Sequence, residues 1–122
     1  MAFFDSTFEE AVDLACEVRD YVAAGEGPAD ARARLTASCE TLRMTARLTQ
    51  VIAWFLVQKA VHAGEMSREE ARLERNRLGG RKVCAAGQEL AAEDKPKRLV
   101  ELLERTGSLY ERVARLDAMM NA

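Results

Sequence analysis

Apolar residues along this chain recur at intervals of three and four, the spacing of one face of an α-helix, and no stretch shows a strand's alternation. Phe8, Ala11, Ala15, Val18 and Val22 predict a first helix over about 7–24, opened by Ser6/Glu9 or Thr7/Glu10 at capping-box spacing. Gly25-Glu26-Gly27-Pro28 ends it in a turn. A second helix is predicted from near Pro28 to about Ala63, roughly 50 Å long at 1.5 Å per residue, and stopped by Gly64. Ser67-Arg68-Glu69-Glu70 reads as another capping box, opening a short helix to about Leu78 that Gly79-Gly80 ends. Residues 81–94 read as irregular, with at most a turn around Glu89-Leu90-Ala91. A last helix starts near Asp94-Lys95-Pro96 and carries Leu99, Leu102, Thr106, Leu109, Val113, Leu116 and Met120 as a heptad seam. Three main helices with short connections predict an all-α fold: an antiparallel three-helix bundle with one additional short helix, forming a single domain over 1–122.

The second helix is the most informative. Leu42, Ala46, Ala53, Leu56 and Ala60 form one apolar stripe, while Met44, Leu48, Val51 and Phe55 form another, with Trp54 at its border. A helix apolar nearly all round must be covered nearly all round. Either its two neighbours cover both stripes, or a second copy of the chain covers one. The expectation taken forward is a homodimer paired through Met44, Leu48, Val51, Trp54 and Phe55.

Composition narrows function. Ala, Leu, Glu and Arg dominate, which favours helix. The formal charge of −2 hides an asymmetry: residues 1–30 carry eight acids and one base, residues 31–82 eleven bases and five acids. Attraction between an acidic first helix and a basic second segment accounts for this, and so does a basic surface offered to an acidic partner. Arg72, Arg75, Arg77, Arg81 and Lys82 are the candidate partner-binding residues; Arg68, Arg72 and Arg75 would share a helical face. Interleaved Glu69, Glu70 and Glu74 allow the plainer reading of a solvated face. A chain of pI about 5.5 does not suit a nucleic-acid binder.

Chemistry is sparse. His62 is the one histidine, and Lys59 stands where a di-iron bundle would need Glu, so no metal site or cofactor is expected. Ser38 and Ser108 fall within helices and Ser6 and Ser67 read as caps, so no nucleophile has a base and no enzyme is expected. Cys16, Cys39 and Cys84 lie far apart and suit a reduced, cytoplasmic setting. The N-terminus has no basic, apolar leader, and the run Val51 to Val57 is too short to span a bilayer, so neither secretion nor a membrane is expected.

The segment Leu42-Arg43-Met44-Thr45-x-Arg47-Leu48-x-Gln50-Val51-x-x-Trp54-x-Leu56-x-Gln58-x-Ala60-Val61-x-x-Gly64-Glu65-Met66 resembles the hallmark of the bacterial regulator of CtrA degradation proteins, the RcdA or DUF1465 family. So do Arg77-Leu78-Gly79 with Val83-Cys84, and Arg98-Leu99 through Leu109-Tyr110-Glu111-Arg112-Val113-Ala114-x-Leu116-Asp117. Together these span about 42–117; Phe8-Glu9-Glu10-Ala11 matches more loosely. The resemblance implies a homodimeric helical bundle without catalysis that acts as an adaptor for the ClpXP protease. It would bring protein substrates such as CtrA to a protease primed by a CpdR-type response regulator, together with a PopA-type cyclic-di-GMP protein. Members often carry a flexible tail beyond the last helix, whereas the heptads here run almost to Ala122.

Overall fold

A computed structural model describes residues 2–25, 30–84 and 96–121. Among these, five α-helices follow one another: α1 (Ala2–Ala24), α2 (Ala31–His62), α3 (Arg68–Ala71), α4 (Arg81–Cys84) and α5 (Lys97–Met120), with a 3-10 turn at Glu74–Asn76. The predicted starts near Pro28 and Asp94 and the turn around Glu89 lie outside the described residues.

α1 begins a turn earlier than its caps predict. The Thr7 hydroxyl is buried and donates to the Phe3 carbonyl at 3.0 Å, as a mid-helix threonine does, rather than capping. The reason is packing. Phe4 meets Trp54 and Phe55 edge-on, with ring centroids 5.8 Å away in both cases, and Phe8 meets Phe55 at 6.0 Å. Burying Phe4 holds the extra turn in place and overrides the capping preference.

α2 starts at Asp30, whose carboxylate accepts from the Ala33 N–H at 3.1 Å. The Ser67 hydroxyl accepts from the Glu70 N–H at 3.0 Å and opens α3 as expected. The predicted helix to Leu78 fails after one turn, because Leu73 is extended (φ −62°, ψ 143°).

Cross-helix pairs give the directions. Lys59 meets Asp5, and Arg112 and Arg105 meet Glu10 and Glu17, so α1 runs antiparallel to both α2 and α5. Arg47 meets Leu103 and Thr106 while Trp54 meets Asp117, so α2 and α5 run parallel. The fold is thus all-α and three-helical, but it is antiparallel only about α1. A parallel pair needs a return crossing, and its described part runs over residues 63–84.

That crossing, here called the strap, is fastened to both helices. The Gly79 N–H donates to Gln50 at 3.0 Å, and the Tyr110 hydroxyl donates to the Gly79 carbonyl at 2.8 Å. A Cβ at Gly79 would sit 3.2 Å from Gln50 Oε1, so glycine allows this close approach. Arg77 donates to Asp117, Arg43 to the Val83 carbonyl and Arg47 to the Cys84 carbonyl.

Candidate protein-interaction surfaces

The five residues assigned to a dimer surface are interior. Met44, Leu48, Val51, Trp54 and Phe55 are each at most 5% exposed, packed among α1, α5 and the strap. This corrects the expectation: the stripe is the core stripe of the protomer itself and offers no face to a second chain. Its centre is occupied by a charge. Arg47 is buried and donates to the Cys84 carbonyl at 2.7 Å, the Leu103 carbonyl at 2.9 Å and the Thr106 hydroxyl at 3.2 Å. Burial lowers its pKa, yet a guanidinium this basic stays charged. A Cβ at Gly107 would lie 3.3 Å from its Nη1, so a glycine inside α5 makes room for the head group. Burial raises the Cys84 thiol, which leaves it protonated and unreactive.

The other stripe faces water. Leu35 and Leu42 are 68% exposed and Leu56 53%. At 100° per residue these lie with Ala53 and Ala60 on a line about 180° from the buried stripe. From Leu35 to Ala60, no charged residue falls within about 60° of that line. The threonines beside it are already satisfied. Thr41, Thr45 and Thr49 donate to the Ala37, Thr41 and Thr45 carbonyls at 2.9, 2.9 and 2.8 Å. Such a face gives up its water with little polar cost.

The basic residues string along the strap instead of forming one patch. Arg72 caps the end of α3, Arg75 stands on the 3-10 turn, and Arg81 and Lys82 begin α4. All four are exposed. The break at Leu73 takes Arg75 off the helical face that holds Arg68 and Arg72, contrary to the periodic reading. Arg77 turns inward. Its Nη2 donates to Asp117 Oδ2 at 3.1 Å, while Trp54 Nε1 donates to Oδ1 of the same carboxylate at 2.9 Å. Asp117, a polar residue that the heptad seam did not single out, is therefore the junction of α2, α5 and the strap. On the far side, Glu17 accepts from Arg105 at 2.7 Å and from Arg98 at 2.8 Å. The Arg105 and Arg98 hydrogen bonds, in that order, hold its carboxyl at about 2.

A family model described as "Protein of unknown function (DUF1465)" matches residues 1–122. This chain belongs to the DUF1465 family. Among solved structures, the crystal structure of RcdA from Caulobacter crescentus CB15 is similar, with a TM-score of 0.73 and 39% sequence identity over 96% of this chain and 89% of that one. Comparison with curated protein sequences gives no match. For this DUF1465 chain, no helix among the described residues is long and apolar enough to cross a membrane. Nor do three or more His, Cys, Asp or Glu residues gather there in a metal-holding group.

Proposed function

We propose that this chain is a non-enzymatic adaptor in regulated proteolysis, acting in the cytoplasm. The observation that carries the reading is the likeness to RcdA, 39% identical over nearly the whole chain. In this role it delivers substrates such as a CtrA-like cell-cycle regulator to a ClpXP-type protease, alongside a CpdR-like response regulator and a PopA-like cyclic-di-GMP protein. An adaptor needs separate surfaces in place of a reaction centre, since holding a substrate beside the protease raises its effective concentration. The uncharged outward face of α2 and the arginines along the strap suit that division. In this reading a homodimer pairs through the α2 face around Leu42, Ala53 and Leu56, while Arg72, Arg75, Arg81 and Lys82 meet acidic partners.

The test is reconstituted proteolysis of a candidate cargo by the protease and response regulator, with and without this chain. Faster cargo loss that requires both this chain and the response regulator supports the adaptor. No acceleration, with cargo and protease active, favours a structural or assembly role for a helical dimer unrelated to proteolysis.

A further inference from the structure

At one end of the bundle lies a cleft of about 460 Å3, within the size range of small-ligand sites. Four elements close it: the first turns of α1, the last turns of α2, α3, and the end of α5. Its wall is apolar, from Phe4, Val61 and Met120. Its rim is cationic. Arg68 and Arg72 stand four residues apart on one side of α3 and its cap, and neither has an ion-pair partner among the described residues. Among the described residues no Asp or Glu side chain lines the cleft, although Glu69 and Glu70 are neighbours in sequence. Amides complete it. Gln58 makes no side-chain hydrogen bond among the described residues. Asn121 spends its N–H groups on Asp117, which leaves its carbonyl oxygen to accept.

These three features match the three parts of one chemical group. The last residue of a polypeptide presents a carboxylate, a backbone N–H and a side chain. A guanidinium binds a planar carboxylate through two parallel hydrogen bonds, and a second guanidinium beside it adds charge and further donors. Amide oxygens accept the N–H, and an aromatic and aliphatic wall takes an apolar side chain. A bare phosphate would use the arginines and leave the wall and amides idle. We propose that this cleft captures the carboxyl terminus of a partner polypeptide whose last residue is apolar. This rests on reading the strap's arginines as a partner surface, and on no protease.

The experiment is fluorescence anisotropy of the full chain with a fluorescein-labelled peptide, Gly-Ser-Gly-Ser-Ala-Leu, bearing a free carboxyl terminus. Its carboxamide counterpart is expected to bind about tenfold more weakly, as is a peptide whose final Leu is replaced by Asp. Arg68→Gln and Arg72→Gln should each cost about tenfold while leaving the melting temperature unchanged, because both side chains are exposed. Ala71→Trp, which fills the cleft, should abolish binding with the helical circular dichroism intact. Equal binding of acid and amide, or wild-type affinity in the double arginine variant, overturns the proposal. Displacement of the peptide by inorganic phosphate at peptide-like concentration overturns it too, and shows a simple anion site. Absence of peptide binding to the intact chain does the same. Because no protease is present, failure here and failure of the delivery assay are separate results.

Discussion

Arg47 Nε donates to the Cys84 carbonyl at 2.7 Å, so a buried side chain of α2 caps the last residue of α4, 37 positions later. The same guanidinium reaches the Leu103 carbonyl and Thr106 on α5. One cation thereby fastens the strap and the parallel helix pair together.

Arg47→Met should therefore destabilise strongly. It keeps the stem's packing but leaves buried acceptors without a donor, at a cost of about 2–4 kcal/mol. Urea unfolding followed by fluorescence of Trp54, the single tryptophan, measures this. Amide exchange should accelerate first around 81–84.

Asp117→Ala removes the acceptor of three side-chain donors, Trp54, Arg77 and Asn121. The loss should reach about 2–3 kcal/mol, since the indole N–H is left buried and unpaired. Arg77→Ala should cost only about 1 kcal/mol, because its side chain is 40% exposed and solvent screens it. A double-mutant cycle on the pair gives the coupling.

Acid should loosen the α1–α5 contact through Glu17. Its carboxyl lies near 2 in the fold against 4.5 unperturbed, so the stabilisation is complete above about 4.5 and is lost as pH falls towards 2. Glu17 is a third exposed, and after discounting for solvent Glu17→Gln should cost about 0.5–1 kcal/mol at pH 7. The variant should also show a flatter stability profile between pH 4.5 and 2, read by urea midpoints.

Leu48→Glu and Leu42→Glu separate core from surface. Leu48 is buried in the protomer, so a carboxylate there should unfold the chain, seen as loss of helical circular dichroism. Leu42→Glu should stay folded, within about 0.5 kcal/mol of wild type. If α2 pairs with a second copy through its outward face, sedimentation equilibrium should show the Leu42 variant shifted to monomer. An unshifted dimer excludes Leu42 from the contact.

Those two leucines also show what the sequence could and could not reveal. Periodicity finds both stripes of α2, the Ser67 cap and most of the α5 seam, because each is local. Which stripe faces inward depends on partners far along the chain. Arg47 lies within the buried arc, and a charge there disguises the core face as a wet one. Leu103, Tyr110, Ala114 and Asp117 widen the buried face of α5 beyond a heptad seam, since α1, α2 and the strap all press on it. The arginine surface was legible as composition, but its shape was not: the extended Leu73 splits it and Asp117 draws Arg77 inward.

The parallel course of α2 and α5 has a consequence for the order of folding. The antiparallel pair α1–α2, whose ends are only a few residues apart in sequence, can zip from those ends, each contact closing only a slightly larger loop than the last. The α2–α5 pair cannot, since its hydrogen bonds join residues 56, 59 and 63 positions apart and the first of them must close the whole interval. α5 should thus dock late and as a unit, ordering the strap as it arrives. A nascent or partly unfolded chain can then hold its α1–α2 hairpin before the arginines of the strap have been set in place.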